Sequence, residues 1–515
     1  MKFSRFIWDL YVQSNRGKKT LERFSNLSGE FIEDWCRSIE LWCPEEQKEL
    51  FPAENVFIDV PQLFCDAVSK LKIKTLEEAN HYYTDRLFTE GIPFKLTDKR
   101  GKKKEIFRFP AEKENWYDYI SAISLGLYQG QPDYFLPYNF RTKFHQVEEI
   151  HAEFDIPLPA VPGKFGKSER SLYYISINEI WQEFRLRYGL SSIEMCAFLY
   201  DFALECITPL NAEDIPSPSK VWLITGGSWD IDTVDGAKSD TVSMWAGNAA
   251  IRRGDILLMY LVNPHKDIGS IWRACTDGFI DPFSHYHGTV WICDPIKTAP
   301  VTLSDLKKDP LLSEKPAVKA NFFGPSSKAS FTVEEYESVL KIMQSKGQNL
   351  TGLPRIPLNE QLPPVELQNE RDVEVQLIEP FLKRLGYKEA DWVRQMPVKM
   401  GRGERNYPDY AFGAKIKRGE ESAKMVLESK YQLSAHRDFV DAFYQVKSYA
   451  LRLQSKVMAM AAKEGIWIFS RENKTFDIKK AIHKTWAEMA HPDNFHEVLI
   501  RIGRKDVLEK PATPY

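Results

Sequence analysis

The alternation of apolar and polar residues is most regular in the last third of the chain. Apolar residues recur every three or four positions over residues 373–385 and stop at Gly386, which predicts a helix. The apolar run 425–427 predicts a buried strand, and residues 439–453 are amphipathic with helical spacing. A further strand is predicted over residues 465–469. We therefore expect a sheet with helices packed against it.

The middle of the chain has a different pattern, made of short apolar runs separated by turn residues. It predicts strands at residues 221–225, 256–261, 270–274 and 288–293. The first strand ends in the glycine turn Gly226-Gly227, and Thr332 is a suitable N-cap for a following helix. This region is therefore expected to be mainly β.

The first part of the chain shows mostly helical spacing. Amphipathic segments are predicted near residues 6–11, 30–43, 61–71, 76–88, 116–127 and 175–203, the last broken at Gly189. Ser191 and Glu194 have the spacing of a helix cap, and residues 94–109 alternate like a β-hairpin. None of these patterns indicates a function for this region.

Two stretches rich in proline, serine, glycine and asparagine divide the chain, at residues 216–219 and 347–361. A length of 515 residues is also enough for about three domains. The sequence therefore predicts a multidomain α+β protein, with a helical region at 1–212, a β domain at 218–345, a linker at 346–364 and an α/β domain at 365–508.

Composition adds three constraints. The net charge is −3, so a nucleic-acid-binding surface would have to be local and built from clustered Lys and Arg. The seven cysteines include no Cys-x-x-Cys pair, which argues against a zinc site or a disulfide framework. The sequence has no run of 18 apolar residues, and its first residues do not resemble a signal peptide. We expect a cytoplasmic protein without a membrane span.

Three charged residues are placed where their side chains can meet. Asp409 follows Pro408 at the predicted start of a strand, and Glu428 and Lys430 lie two positions apart on the next strand, so both point to one face. Carboxylates, water and a phosphate are the ligands that Mg²⁺ prefers. A cation held there can activate water, and the compact ammonium group of the lysine can orient it. The pattern predicts hydrolysis of a phosphodiester with Mg²⁺, or alternatively Mn²⁺, as the cofactor.

The order of these residues resembles a known nuclease superfamily. A helix that carries Glu374, the Pro-Asp409 pair, the Glu428-Ser429-Lys430 triplet and a Gln-x-x-x-Tyr pair resemble the PD-(D/E)xK nucleases. The likeness is greatest to the nuclease domain of type I restriction enzyme motor subunits, over roughly residues 365–500. It implies an α/β restriction-endonuclease-like fold. The chain has no Gly-x-x-x-x-Gly-Lys-Ser/Thr motif, so the motor itself is not expected.

The resemblance also implies roles for individual residues. The catalytic set would be Glu374, Asp409, Glu428, Lys430, Gln445 and Tyr449. The metal ligands would be Asp409, Glu428 and the carbonyl of Ser429. Gln445 and Tyr449, four apart on the predicted helix, would contact DNA or support the site.

The middle region resembles a second family. A strand, a Trp-bearing loop, a second Trp and Arg-x-Gly-Asp before an apolar strand are similar to the EVE domain of the PUA-like fold. The resemblance implies a small β-barrel with a pocket for one flipped, modified base. The expected pocket residues are Trp229, Trp245 and Tyr260 as walls, Trp272 as a lesser candidate, and Ser228 and Asn248 as hydrogen-bonding groups. The alternative is that the aromatic residues fill the core. The chain also departs from simpler members of that family by an Asp-rich insertion at 230–241.

A basic cluster lies at the tip of the predicted hairpin in the N-terminal region. Its members are Lys99, Arg100, Lys102, Lys103 and Lys104. Such a tip could contact a phosphate backbone, although a solvated loop explains it equally well.

Together these features predict a modification-dependent DNA endonuclease that acts in restriction or antiviral defence. Its partner would be double-stranded DNA with modified bases, and a single site per chain implies a homodimer or two successive cuts. Two alternatives stay open: a nuclease gated by RNA or nucleotide binding to the middle domain, and a non-cleaving nucleic-acid-binding subunit of a larger defence complex.

Overall fold

The computed structural model describes residues 3–40, 56–97, 103–109, 116–117, 119–284, 288–322, 328–357, 366–399, 405–417 and 419–509. Over these residues the chain is mixed α/β, with a seven-stranded sheet, a six-stranded sheet and two short hairpins. No helix in the described ranges combines the length and the apolar character that a bilayer crossing requires.

The N-terminal region is helical, as predicted, apart from one hairpin. Its helices are α1 (Arg5–Gln13), α2 (Asn15–Ser25), α3 (Gly29–Glu40), α4 (Val56–Val68), α5 (Leu76–His81), α6 (Ile120–Gly130), α7 (Phe144–Glu153), α8 (Lys167–Arg187) and α9 (Ser192–Ala197). Strands β1 (Ile92–Thr97) and β2 (Lys103–Phe109) pair antiparallel. The predicted cap at Ser191 is present, since Ser191 and Glu194 exchange side-chain and backbone hydrogen bonds. The helices enclose one core rich in aromatic side chains.

The middle region forms the seven-stranded sheet. Its strands are β3 (Val221–Gly226), β4 (Ser243–Ala246), β5 (Ile256–Leu261), β6 (Asp267–Ala274), β7 (Phe279–Ile280), β8 (Gly288–Thr302) and β9 (Ser330–Phe331). The order is β4-β8-β6-β5-β3-β9, with β7 paired to β8. Among the described residues, the α-helices that accompany the sheet are α10 (Ile231–Asp235), α11 (Leu303–Lys308), α12 (Pro316–Lys319) and α13 (Val333–Ser345). Thr332 caps α13, as predicted.

This sheet is open, so the predicted barrel is not found in the described part of the chain. Strand β4 has only four residues, and its pairing runs to β8. Where closure would require a backbone bond between β4 and β3, the indole N–H of Trp245 donates to the carbonyl of Thr225 instead, at 2.9 Å.

The first part of the predicted linker is also ordered: Tyr336 donates to the carbonyl of Pro354, and Leu350 and Leu353 pack on the sheet core.

The C-terminal region contains the six-stranded sheet, in the order β10-β13-β14-β15-β16-β17. The strands in this region are β10 (Trp392–Arg394), β11 (Val398–Lys399), β12 (Arg405–Asn406), β13 (Tyr410–Phe412), β14 (Met425–Ser429), β15 (Val457–Ala462), β16 (Gly465–Ser470) and β17 (Ile482–Thr485). Strands β11 and β12 form a separate hairpin. The helices are α14 (Glu370–Val373), α15 (Glu379–Arg384), α16 (His436–Arg452) and α17 (Pro492–Ile502).

Two cores lie on opposite faces of this sheet. Helices α14, α15 and α17 cover one face, where they share a core with Leu427 of β14. The π-helical turn Glu374–Ile378 joins α14 to α15. Helix α16 covers the other face, where Val426 and Met460 pack on Phe443. Because side chains alternate along a strand, β14 contributes to both cores and its last residues reach both faces at the sheet edge.

The three regions contact one another directly. Arg141 and Arg170 of the N-terminal region donate to the carbonyls of Phe283 and Pro282 at 2.7 and 2.8 Å. Arg252 of the middle region binds Asp506 of the C-terminal region at 2.6 Å in a mostly buried ion pair.

Candidate functional site

The ends of β13 and β14 bring Asp409 and Glu428 together. The strands pair antiparallel with Tyr410 opposite Leu427, and the next position in this register sets Asp409 opposite Glu428. Directly opposed residues have Cβ atoms about 5 Å apart. The charge of Asp409 also raises the pKa of Glu428, so the two carboxylates lie within electrostatic reach of each other.

Ser429 holds the first of these carboxylates in place. Its amide donates to Asp409 Oδ2 at 2.8 Å, and its buried hydroxyl lies 2.8 Å from the same oxygen and 3.0 Å from Glu374 Oε1. The sequence assigned a role only to the Ser429 carbonyl; these contacts add the amide and the hydroxyl. No sequence signal distinguishes this serine from an ordinary strand residue.

Glu374 is held by two guanidinium groups. Arg371 binds Glu374 Oε2 at 2.6 Å, and Arg394 binds the same oxygen. Arg394 also donates a hydrogen bond to Glu379 at 2.6 Å. With Oε1 facing Ser429, both oxygens of Glu374 have partners. This residue therefore anchors the helix to the ends of the strands.

Glu428 and Lys430 form a close pair. Lys430 Nζ donates to Glu428 Oε1 at 2.7 Å, whereas Glu428 Oε2 is buried and has no hydrogen-bond partner among the described residues. The Glu428 side chain is 2% exposed, and burial, with the neighbouring charge of Asp409, raises its pKa to about 7. Burial lowers the pKa of Lys430, but the surrounding carboxylates outweigh this effect, and the net pKa is raised.

Gln445 and Tyr449 lie on α16, on the face of the sheet that carries Glu428. Gln445 Nε2 donates to the Tyr449 hydroxyl at 3.1 Å. Burial raises the pKa of Tyr449, and the charges of Glu428 and Asp409 add to the effect, which places the phenol within electrostatic reach of both acids. All six residues of the expected catalytic set therefore gather at one end of the sheet.

Glu370 is a further acidic residue at this place, and sequence reasoning missed it. One oxygen each of Glu370, Glu374 and Asp409 lie within 4.8 Å of one another, a spacing that fits a metal ion. Burial raises the pKa of Glu370. The available signal was its position four residues before Glu374, on the same helical face.

The donor set suits a hard divalent cation. Three half-buried or buried carboxylates and the unpaired oxygen of Glu428 supply oxygen ligands, with neither cysteine nor histidine among them. Asp409 and Glu428 would hold the cation, which would polarise a phosphate and supply an activated water when bound. Lys430 is placed to orient that water or to neutralise the phosphate.

In the middle region, Asp255 explains the Arg-x-Gly-Asp motif. Its fully buried carboxylate accepts hydrogen bonds from the amides of Ser219, Lys220 and Arg252 at 2.9–3.1 Å, and from the indole of Trp222 at 2.9 Å. The motif therefore ties the start of β3 to the turn before β5. It has a structural role and does not contribute to a pocket.

The expected base-binding residues are only partly brought together. Trp229 is 82% exposed, and Trp245 is buried with its indole N–H bonded to Thr225. Both indoles lie against the Gly226-Gly227 turn: a Cβ on Gly227 would stand 2.8 Å from Trp229, and one on Gly226 would stand 3.0 Å from Trp245. Because neither glycine carries a Cβ, each ring can lie directly against the backbone of this turn.

Tyr260 and Trp272 lie elsewhere. Tyr260 is 2% exposed and packs on Phe322, at 4.7 Å between ring centroids, in the core on the face opposite Trp245. Trp272 is fully buried and donates to Ser270. These two rings fill cores and do not line a common pocket, which agrees with the alternative interpretation stated for the aromatic residues.

The two polar candidates differ as well. Ser228 lies in the short turn Ser228–Asp230, which a hydrogen bond from the Gly227 amide to Asp230 closes at 2.7 Å. Asn248 uses its side-chain oxygen to accept from the amide of Ala250 at 2.9 Å.

In the basic hairpin tip, Lys99, Arg100 and Lys102 lie outside the described residues, and Lys103 and Lys104 begin β2.

Comparisons with known proteins give limited similarity. The sequence matches no protein-family profile and no curated protein. Among solved structures, Rpa0253 from Rhodopseudomonas palustris is 26% identical over 24% of this chain and 94% of its own, with a TM-score of 0.20. Atu2648 from Agrobacterium tumefaciens is 24% identical over 27% of this chain and 99% of its own (TM-score 0.22). An ASCH protein from Zymomonas mobilis is 15% identical over 24% and 96% (TM-score 0.18).

Proposed function

We propose that this protein is a metal-dependent nuclease that hydrolyses DNA phosphodiester bonds at the site formed by Asp409, Glu428 and Lys430. The observation that carries the proposal is the unpaired Oε2 of Glu428, buried beside Asp409. An ionised carboxylate oxygen without a partner in such a place is costly unless a cation binds it.

In the proposed reaction, Asp409 and Glu428 would hold Mg²⁺ or Mn²⁺, which would polarise the scissile phosphate. Lys430 orients the attacking water and takes part in neutralising the pentacovalent transition state. The Gln445–Tyr449 pair, on the face of the sheet that carries Glu428, contacts the phosphate strand. Hydrolysis forms a bond from the water oxygen to phosphorus and breaks one phosphorus–oxygen ester bond.

We further propose that the middle region selects substrates with modified bases. Support comes from the exposed indole of Trp229, which lies against Gly227 in the glycine turn. An exposed aromatic face can stack on a base that has left the duplex, worth about 1–3 kcal/mol per base. Tyr260 and Trp272 have no part in this version of the pocket.

The test is a nicking assay on plasmid and phage DNAs that carry different cytosine or adenine modifications, with Mg²⁺ and with Mn²⁺. We expect nicking that requires the cation and falls by about 10²-fold or more in Lys430→Ala, because the variant loses a charge that acts in the transition state. Lys417→Ala, which removes an exposed lysine paired with Glu420, is the matched control and should cut normally.

Three results would change the proposal. Equal cutting of modified and unmodified DNA would reject base selection and leave the nuclease. Cutting that starts only when RNA or a nucleotide is added would favour the gated alternative. Absence of cutting on every nucleic acid, with binding retained, would favour a non-cleaving subunit.

A further inference from the structure

The short edge strand β10 brings Arg394 next to the acids of the site. β10 pairs antiparallel with β13, and the register sets Arg394 opposite Tyr410, the residue after Asp409. The guanidinium lies over the Tyr410 ring at 5.0 Å, binds Glu374 Oε2 and donates to Glu379 Oε1 at 2.6 Å. Two carboxylates and one aromatic face therefore fix the plane of this side chain.

The hydroxyl of Ser429 lies between two carboxylate oxygens. It is 2.8 Å from Asp409 Oδ2 and 3.0 Å from Glu374 Oε1. A hydroxyl has one proton to donate, and an ionised carboxylate can only accept, so only one of the two acids receives this hydrogen bond. The charges around each acid decide which one.

The arginines decide this competition in favour of Asp409. Arg371 and Arg394 both bind Oε2 of Glu374, which offsets the charge of that carboxylate and makes its Oε1 the weaker acceptor. Asp409 forms no ion pair with the described side chains, and its Oδ2 also accepts from the Ser429 amide at 2.8 Å. Oδ2 of Asp409 therefore receives both hydrogen bonds that Ser429 can donate.

We propose that Arg394 is a positioning residue for Asp409. It acts through a contact chain that runs from Glu374 to Ser429: by holding Glu374 Oε2, it leaves the serine proton to Asp409. Two donors on one oxygen then fix the orientation of the Asp409 carboxylate. The effect of this contact chain on catalysis rests on the proposed nuclease function, whereas the contact chain itself is a property of the folded protein.

The experiment is a double-mutant cycle on the full-length protein, followed by the rate of DNA nicking. Ser429→Ala removes the hydroxyl, and Arg394→Gln removes the charge that directs its proton. We expect each change to lower kcat by about tenfold and to leave the KM for DNA nearly unchanged, because a misplaced Asp409 affects the reaction more than binding. The double variant should be no slower than the slower single variant, since both changes break the same contact chain.

Two further variants test whether the effect is specific to Arg394. Arg394→Lys keeps the charge but cannot bind two carboxylates through a planar fork, so it should recover only part of the rate. Arg501→Gln is the matched control: the Arg501 side chain is 32% exposed, against 34% for Arg394, and it pairs with Glu497 on its own helix. This control should cut DNA like the wild type.

Losses that multiply in the double variant, or an unchanged kcat in Arg394→Gln, would overturn the proposal. If the wild type cuts no nucleic acid, the nuclease proposal fails, and urea unfolding of the same four proteins tests the contact chain by itself. A midpoint shift in the double variant that is smaller than the sum of the single shifts would support it, and additive shifts would overturn it. If Arg394→Gln does not fold, Arg394→Lys takes its place in both cycles.

Discussion

At the scale of single residues, the site is organised around a serine. The motif residues were identifiable because proline before an acid, and Glu-x-Lys on a strand, have a known spacing. The motif gives Ser429 only a carbonyl contact, whereas its amide and hydroxyl fix Asp409. Such contacts depend on where the chain returns in space, so spacing along the sequence does not reveal them.

The aromatic candidates show a second limit at this scale. Strand β5 is apolar at every position and buried on both faces, so its sequence does not tell which face carries Tyr260. The structure places this ring opposite Trp245. Trp229, in contrast, follows a glycine turn in a polar loop, and its exposure was predictable from that context.

Glu428 illustrates the conflict between stability and the proposed metal site. Its pKa of about 7 lies above the ordinary value of 4.5, so the stability that its protonation contributes is fully present below pH 4.5 and is lost as the pH rises through 7. At pH 8 without a cation, the buried charge destabilises the folded state. We expect Glu428→Gln to be more stable than the wild type there, by roughly 1–3 kcal/mol, and to lose nicking.

Thermal unfolding in EDTA at pH 8 and pH 4 measures this effect. The advantage of Glu428→Gln should disappear at pH 4, where the wild-type carboxyl is protonated, and Mg²⁺ should stabilise only the wild type at pH 8. Glu420→Gln, an exposed control, should show neither effect. A variant less stable than the wild type at pH 8 would contradict the argument.

At the scale of elements, the helices and strands of the C-terminal region follow their apolar pattern closely. The predicted strands at 425–427 and 465–469 correspond to β14 and β16, and the helix at 439–453 corresponds to α16. Short strands such as β10 and β12 were missed, because two or three residues carry too little periodicity. The open edge of the middle sheet was missed for another reason, since closure depends on pairing between distant strands.

The turn between β15 and β16 provides a test at this scale. Gly465 has φ of 152°, and a Cβ on it would stand 2.2 Å from the carbonyl oxygen of Lys484 on β17. Backbone on both sides cannot move easily, so Gly465→Ala should lose more than about 2 kcal/mol of stability. Gly163→Ala, where a Cβ meets open space, should change stability by less than about 0.5 kcal/mol in the same urea titration. Equal losses would contradict this account.

At the scale of the whole molecule, the last described turn of the chain connects the regions. Asp506 pairs with Arg252, and Lys505 with Asp277, both from the middle region. Leu508 of the same turn accepts from Lys424, just before β14, and would meet a Cβ on Gly413, just after β13. This turn thus contacts both the middle region and the two strands next to Asp409 and Glu428.

A buried histidine lies in the same interface. His496 on α17 is 4% exposed and lies 3.2 Å from the Ser219 hydroxyl at the start of the middle sheet. Burial, with the charges of Lys220 and Arg252, lowers its pKa from 6.5 to about 3. The folded state therefore holds a neutral imidazole, which contributes stability above pH 6.5 and loses it as the pH falls from 6.5 towards 3.

Replacing this histidine should flatten the response of the interface to acid. His496→Asn keeps an acceptor near Ser219 but has no proton to gain, so its unfolding free energy should fall less between pH 6 and pH 5 than that of the wild type. The expected difference is about 1 kcal/mol, the linkage value for nearly one proton. His436→Asn, at an exposed position on α16, should follow the wild type in the same denaturation series. Parallel pH profiles for His496→Asn and the wild type would show that this imidazole is not the acid-sensitive contact between the two regions.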